Sequence, residues 1–173
     1  MPRHYRRESW IDPRLELGDS AIHGQGVIAR EAIPKGEVVI VWGGVVMSEE
    51  DIRARRAKPR TAANIGEGVY LASEHDDPDS IDDYLNHSCD SHLWFEDEVT
   101  LSVRRDVAGG NEVTVDYALW GTESGFECRC GSPACRGALR AGDWQRLCVQ
   151  KRYKDHFQPF LNERLRRRGG RNN

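Results

Sequence analysis

The chain has 173 residues, which suits one domain with room for a small appendage. A hydrophobic share of 38% and a charged share of 31% are typical of a soluble globular protein and argue against a disordered or membrane-spanning chain. The cationic N-terminus lacks the apolar core of a secretory signal. We therefore expect an intracellular protein in a reducing compartment, cytoplasmic in the first instance, with a nuclear location or export to a host left open.

Charge is unevenly distributed along the chain, whose net charge is -3. Residues 151–173 carry eight Lys or Arg against two acids, and residues 74–83 carry six acids in ten positions. Runs of this kind usually form solvated surface. The acidic segment also suits a basic partner, such as a lysine- and arginine-rich peptide. The tail offers phosphate contacts without interleaved aromatic side chains, so nucleic-acid binding is not expected except through this tail.

The first half of the chain predicts small antiparallel strands. Between residues 15 and 46, short apolar runs alternate with turn residues, and the Pro-Lys-Gly sequence at 34–36 is one such turn. Ser48 followed by three acids is typical of a helix N-terminus with a capping box. A short helix is therefore expected from there to about Lys58.

The second half returns to strand-like content at residues 69–72, 93–103 and 111–120, and then changes to helical spacing. Pro159 interrupts that spacing, which predicts a helix pair or one kinked helix. The apolar positions are Trp144, Leu147, Cys148, Tyr153, Phe157, Phe160, Leu161 and Leu165. The pattern indicates a mainly β body, a cysteine loop and a helical tail.

The stretch FECRCGSPACRG places Cys128, Cys130 and Cys135 in a loop punctuated by glycine and proline. Structural zinc is normally held by four Cys or His ligands, so this loop is one ligand short. The candidates for the fourth are Cys89, Cys148 and any of the six histidines. Cys148 falls on the predicted apolar face of the tail helix, where a free cysteine behaves as a small hydrophobic residue. Spacing alone favours Cys89 modestly.

Three segments together resemble the signature of SET-domain protein-lysine methyltransferases with a post-SET zinc loop: YLNHSCD, GNEVTVDY and FECRCGSPACRG. The earlier HGQGVIAREAIPKGEVV resembles the opening of the same domain, so the resemblance covers about residues 15–137. It implies a mainly β, β-clip-like fold of small curved sheets with a pseudoknot, a short helix, a zinc-bound post-SET loop and a C-terminal helical tail. The SET domain is expected at residues 15–118, the post-SET zinc loop at 119–140 and the helical C-terminal tail at 141–168. The resemblance also makes Cys89 the fourth ligand of one structural zinc ion.

The resemblance further implies S-adenosylmethionine as methyl donor and assigns roles to individual residues. Tyr117 is expected to be the catalytic residue beside the transferred methyl, although buried tyrosines that end strands are also common in cores. For Trp42 two placements are open, one near the pocket and one in the core. The implied donor-binding residues are Gly24, Gln25, Gly26, Tyr84, Asn86, His87, Tyr117 and Phe126. The implied substrate channel is lined by Tyr70, Val115 and Trp120.

The sequence departs from the family pattern at several positions. Asp83 stands where relatives commonly have arginine, so any contact of that arginine is lost. Val115 stands where many relatives carry Phe or Tyr, which suggests a wider channel and the transfer of more than one methyl group. These departures leave methyl transfer plausible and weaken any claim to a histone substrate.

Two classes of function fit these observations. The first is a protein-lysine N-methyltransferase that acts on a lysine-containing protein or peptide, histone or non-histone. The second is a catalytically inert, zinc-stabilised SET-fold module that binds other proteins. Retention of Tyr117 with Asn86 and His87 favours the enzyme, and donor binding with transfer of label distinguishes the two. The oligomeric state stays open.

Overall fold

A computed structural model describes residues 4–122 and 125–169. Within these ranges the chain is mainly β, as the sequence predicted, with short strands and three α-helices. The strands are β1 (Trp10–Ile11), β2 (Leu15–Asp19), β3 (Gln25–Ala29), β4 (Val38–Val41), β5 (Val45–Ser48), β6 (Ala63–Gly66), β7 (Val69–Ala72), β8 (Leu93–Phe95), β9 (Thr100–Val103), β10 (Glu112–Val113), β11 (Phe126–Glu127) and β12 (Ala138–Leu139). The helices are α1 (Glu49–Arg53), α2 (Leu147–Tyr153) and α3 (Pro159–Gly169).

The strands form four small antiparallel sheets rather than one large one. Their strand orders are β1-β4-β9-β8, β10-β3-β2, β5-β7-β6 and β11-β12. The register between β4 and β9 shifts between Val38 and Ile40, a β-bulge that bends the sheet. One core of buried aliphatic and aromatic side chains joins the first two sheets to the tail helices. A chain of this size can therefore bury a single core although every sheet is small.

A knot-like crossing brings two distant segments together. Val115 accepts a hydrogen bond from the Ser88 N–H and donates to the Asn86 carbonyl. On its other side, the Thr114 carbonyl accepts from the N–H groups of residues 92 and 93. The segment after β10 therefore lies between two arms of the loop 86–93. This crossing places the NHSC and VDY motifs next to each other.

The predicted local signals are found with one difference. Gly36 has a φ of 91° in the expected turn after Pro34, and the Ser48 side chain and Asp51 form the expected capping box of α1. The helix ends at Arg53, however, rather than near Lys58. Arg55 has a φ of 58°, a left-handed conformation that no helix continues through.

The tail forms the predicted helix pair, and Pro159 opens α3 rather than kinking a longer helix. The face that α2 turns inward differs from the predicted one. Val149 and Tyr153, four residues apart, are fully buried, whereas Leu147 is 71% exposed and Cys148 is exposed. The interpretation of Cys148 as a packed core residue was therefore wrong. In the part of the chain that the structure describes, no helix combines the length and apolarity required to cross a bilayer.

Candidate active site and metal centre

One cavity has a volume of about 520 Å³, which is within the usual range for small-molecule sites. It lies where the turn before β3, the segment 82–86, the turn 117–120 and the strands β6 and β7 meet. Among its lining residues are most of those predicted to bind a donor or substrate: Gly24, Gln25, Tyr84, Asn86, Tyr117, Trp120 and Phe126, together with Trp42. The crossing of the two motifs therefore creates a concave site of ligand size.

The two glycines of the HGQG turn have different roles. Gly24 lines the cavity with a φ of 54°, and a Cβ there would meet nothing within 4 Å, so its left-handed conformation is what requires glycine. Gly26 does not line the cavity. A Cβ at Gly26 would lie 2.3 Å from a Glu112 carboxylate oxygen, so a side chain here would displace the carboxylate that Asn86 and Ser20 bind. The predicted donor contact of Gly26 stays a prediction.

Asn86 fastens this turn to the NHSC segment. Its side-chain nitrogen lies 3.1 Å from the His23 carbonyl oxygen, 2.9 Å from that of Gln25 and 2.8 Å from a Glu112 oxygen. Ser20 donates to the same carboxylate at 2.8 Å. Since these contacts occupy the amide nitrogen, Asn86 shapes the cavity wall with its side chain.

Tyr117 is held from both ends. Its hydroxyl donates to the Leu85 carbonyl at 2.7 Å, and its backbone N–H donates to His87 Nδ1 at 3.2 Å. Burial raises the pKa of Tyr117 to about 12, although the nearby Arg60 charge opposes this shift. The phenol is therefore neutral at physiological pH. With its proton committed to Leu85, the oxygen can accept a hydrogen bond from a ligand.

Aromatic side chains surround this phenol. The ring centroid of Trp120 lies 4.6 Å from that of Tyr117, and Trp42 packs edge-on against Trp120 at 5.6 Å. Phe126 is 42% exposed at the rim of the cavity, 6.1 Å from the Tyr117 ring. Such walls surround the phenol with apolar surface, and the exposed ring of Phe126 is available for stacking on a planar ligand.

Four cysteine sulfurs gather beside this site. The thiols of Cys89, Cys128, Cys130 and Cys135 all lie within 4.8 Å of one another. Cys128 Sγ is 3.7 Å from the sulfurs of Cys89 and Cys135. A tetrahedral zinc with Zn–S bonds of about 2.3 Å separates its sulfurs by about 3.8 Å, so the donor set fits that metal. The structure thus groups Cys89 with the loop and leaves Cys148 exposed on α2.

His87 lies between the cysteine cluster and Tyr117. It is 3% exposed, and its Nε2 is 3.4 Å from Cys89 Sγ. Burial lowers the pKa of His87 to about 4, so the ring is neutral near pH 7. Nδ1 accepts from the Tyr117 N–H, and Nε2 accordingly carries the proton toward the sulfur. His87 is not among the residues that line the cavity, and it positions Tyr117 through this hydrogen bond; its predicted donor contact stays a prediction.

A buried ion pair joins the cysteine loop to the segment that carries Tyr117. Arg136 donates to both oxygens of Asp116 at 2.7 Å and to Asp143 at 3.0 Å. These three side chains are at most 4% exposed. Asp116 also accepts from the Ala118 N–H at 3.0 Å and so caps the turn that begins at Tyr117. The ion pair therefore links the cysteine loop directly to this turn.

Replacement of Arg136 with methionine is expected to cost about 3–5 kcal/mol of unfolding free energy, because two carboxylates are left buried without a cation. Urea unfolding of the purified variant measures this. The matched control is Arg105→Met, which removes a 43% exposed arginine bonded to Asp90. That change should cost less than about 1 kcal/mol. Equal losses in the two variants would contradict the role given to Arg136.

The acidic segment 74–83 is partly neutralised by cations of the same chain. Arg7 bonds to Asp77 at 2.7 Å and to Glu74 at 2.9 Å. Lys58 lies 2.5 Å from Asp79 and 2.9 Å from Asp83. Several of these acids therefore hold the local structure. Attraction of a basic peptide by this segment stays a prediction.

Two of the predicted channel residues lie away from the main cavity. Val115 is fully buried in the core and pairs with residues on both sides of the crossing. It is not among the residues that line this cavity, and a channel widened at this position stays a prediction. Tyr70 lines a separate cavity of about 180 Å³ with Gly121 and Phe160. Its part in a substrate channel stays a prediction.

Sequence reasoning missed several residues that build the site. Asp116 and Arg136 stand inside the quoted motifs, next to Tyr117 and Cys135, but their pairing depends on a contact across 20 positions. Arg60 lines the cavity from the segment before β6, where no sequence pattern marks it. Leu85 contributes its backbone carbonyl, which is independent of its side chain.

Comparison with known proteins adds the family to this geometry. The sequence model of the SET domain matches residues 24–118, which is more than half of the chain. The chain belongs to the SET-domain family. The matched range contains the crossing, residues 24–26 of the HGQG turn and Tyr117, so the resemblance and the mainly β fold expected from the sequence are confirmed. Of the cysteine loop, residues 128–135 lie beyond the match.

Relatives of this SET domain are histone-lysine N-methyltransferases by name. One from Schizosaccharomyces pombe, described as H3 lysine-4 specific, is 31% identical over 73% of this chain. Another, TRX1 from Oryza sativa subsp. japonica, is 29% identical over 73% of this chain. The chain spans only 15% and 14% of the lengths of these two relatives.

Solved structures share the fold. Arabidopsis thaliana SUVH6, determined in complex with SAM, has a TM-score of 0.60 at 18% identity over 72% of this chain and 32% of its own. KRYPTONITE, determined in complex with mCHG DNA and SAH, has a TM-score of 0.57 at 23% identity over 72% of this chain and 28% of its own. At these identities the similarity concerns the fold of the SET domain.

Proposed function

We propose that the chain is a protein-lysine N-methyltransferase that transfers a methyl group from S-adenosylmethionine to a lysine side chain. The observation that carries this proposal is the neutral phenol of Tyr117. It is bonded to the Leu85 carbonyl and lies inside an aromatic-walled cavity of about 520 Å³. The names of the relatives, histone-lysine N-methyltransferases, support the same reaction class.

The cavity fits the donor chemically. Gly24 and Gln25 present backbone on one side, and the exposed ring of Phe126 offers a stacking surface for adenine at the rim. The donor, when bound, supplies a methyl group on a positively charged sulfur. The hydrogen bond between Asn86 and Glu112 holds the turn in position. These two side chains therefore support donor binding indirectly.

In the proposed reaction, Tyr117 positions rather than abstracts a proton. A lysine amine attacks only as the neutral base, although it titrates near about 10.4 in water. Burial against the aromatic wall that contains Trp120 and Trp42 disfavours the charged ammonium and promotes loss of its proton to solvent before the amine is enclosed. The Tyr117 oxygen then accepts from an amine N–H, and the amine lone pair is directed at the methyl carbon.

We assign the cysteine cluster to one structural zinc ion. Four thiolates complete a tetrahedron and leave no open position for chemistry on the metal. The ion would fix residues 128–135 to the NHSC segment and hold Phe126, two residues before Cys128, at the cavity rim. Arg136 would add a second connection, to Asp116. The proposed metal is structural and still required for the site.

The substrate is proposed to be a protein or peptide with an accessible lysine, histone or non-histone. Net negative charge in segment 74–83 supports a basic sequence around that lysine. Tail arginines have partners within the chain, Arg164 with Glu67 and Arg167 with Glu163, which lessens support for nucleic-acid binding through the tail. An intracellular, reducing location is likewise a proposal, supported by thiols arranged as metal ligands.

The proposal predicts that the purified protein transfers label from S-adenosylmethionine to a lysine of a protein in a whole-cell extract. Tyr117→Phe serves as the control. Mass spectrometry of the labelled band should show methyllysine formed by the natural sequence and absent with the variant. An inert binding module would transfer no label at any enzyme concentration, and label equal in the two proteins would reject the role of Tyr117.

A further inference from the structure

We propose that Arg60 binds the carboxylate of the donor's amino-acid group and makes the cavity select donors that carry this carboxylate. The inference rests on the proposed function and deepens it. Among the described residues that line the cavity, Arg60 is the only lysine or arginine. It belongs to the segment between α1 and β6, outside every sequence motif that identified the site.

The guanidinium of Arg60 is available for a ligand. Neighbouring cations are already paired, Lys58 with Asp79 and Asp83 and Arg7 with Asp77. By contrast, Arg60 has no ion pair or hydrogen bond to any other side chain within 4–122 or 125–169. An arginine fork that faces a cavity without a carboxylate partner matches a ligand carboxylate in geometry and charge.

The acids of the cavity wall do not compete for Arg60. Asp82 accepts from the hydroxyls of Ser9 and Ser80. Asp83 accepts from the Ser80 N–H at 3.1 Å and pairs with Lys58 at 2.9 Å. Both carboxylates therefore have partners other than Arg60, and Asp79, whose pKa the Arg60 charge helps to lower, is itself bonded to Lys58 and Tyr84.

The backbone around Arg60 is held in an uncommon conformation. Its φ is 72°, a region that disfavours residues with a Cβ. The Thr61 hydroxyl donates to the Lys58 carbonyl at 2.9 Å and accepts from the Ser73 N–H at 3.2 Å. The Lys58 N–H donates to the Ser73 carbonyl at 2.9 Å. A strained residue fixed by its surroundings is a common feature of ligand sites.

Charge balance points to the same assignment. The donor carries a positive sulfonium, a positive ammonium and one carboxylate, and the charge of Arg60 is felt at Tyr117, where it opposes the rise in pKa. A guanidinium facing the sulfonium without a carboxylate between them would repel the donor. In the proposed arrangement the donor carboxylate pairs with the Arg60 guanidinium, and the adenine stacks on the Phe126 ring.

The test compares S-adenosylmethionine with decarboxylated S-adenosylmethionine, which lacks only the carboxylate, by isothermal titration calorimetry on the zinc-loaded protein. The natural sequence should bind the carboxylate-bearing donor at least about tenfold more tightly. Arg60→Gly should lose this preference, with unchanged or tighter binding of the decarboxylated donor. Its melting temperature should not fall, because glycine adopts the left-handed conformation without strain.

Arg55→Gly is the matched control. Like Arg60, Arg55 is exposed and has a positive φ, of 58°, but it does not line the cavity. This variant loses the same charge and the same strain, and it should keep the full preference. A preference retained by Arg60→Gly, or lost equally in both variants, would overturn the inference. If the natural sequence binds both donors equally, the inference alone fails; if it binds neither, the proposed function fails with it.

Discussion

Replacement of Cys89 with serine is expected to remove zinc and weaken donor binding together. Cys89 is fully buried, and its sulfur lies 3.7 Å from Cys128 Sγ and 3.3 Å from the Arg136 N–H. A hydroxyl in its place is a poor zinc ligand, so the metal content of the purified protein should fall from about one ion per chain to near zero. The segment that carries Phe126 then loses its anchor at the cavity rim.

The donor affinity of this variant should fall about tenfold to a hundredfold, the range lost when an aromatic surface is withdrawn from a base. Zinc is measured by atomic absorption and donor binding by calorimetry. Cys148→Ser is the control, because Cys148 is exposed on α2 and stands apart from the cluster. Both quantities should be unchanged there. If the Cys89→Ser protein lacks zinc but binds the donor with unchanged affinity, the proposed dependence of donor binding on the metal is wrong.

Replacement of Tyr117 with phenylalanine should slow methyl transfer about a hundredfold to a thousandfold, as the loss of one positioned hydrogen-bonding group does in other enzymes. The ring and its packing against Trp120 are kept, so donor affinity should change by less than about threefold. Single-turnover transfer to a lysine peptide measures the rate, and calorimetry measures the affinity.

The same change also leaves the Leu85 carbonyl without its donor, which should cost about 1–3 kcal/mol of stability. Tyr153→Phe separates the two effects. The Tyr153 hydroxyl is also buried and bonds to Ser91, and Tyr153 does not line the cavity. It should lose similar stability and keep the transfer rate. A rate unchanged in Tyr117→Phe would mean that the phenol neither orients the amine nor belongs to the reaction.

The short signals of the sequence predicted the local structure well where neighbouring residues determine it. The capping box at Ser48 and the turn before Gly36 involve residues within three positions of one another. The error at the end of α1 has the same origin. No residue before Pro59 signals that the chain leaves the helix at Arg53, because Arg55 adopts a left-handed conformation without being glycine.

The direction of side chains was less predictable than their local structure. Tyr153 was expected on the inner face of the tail and is there, but Leu147 and Cys148 point outward because α2 turns Val149 to the core. Residues 113–116 are all buried, apolar and polar alike, because the crossing with residues 86–93 encloses this segment from both sides. Hydrophobic periodicity along a helix or strand distinguishes its two faces. Which face lies toward the core or a ligand depends on the elements packed against it.

By itself the sequence determined the chemistry that is available: three clustered thiols with few candidates for a fourth, a tyrosine after a strand, and motifs that resemble SET domains. The tertiary structure decided which of these groups meet. Cys89 joins Cys128 across 39 positions, Arg136 reaches Asp116, and Arg60 enters the cavity from a segment without a motif. Such contacts depend on how distant segments cross and pack, and residue spacing along the chain contains no measure of that distance.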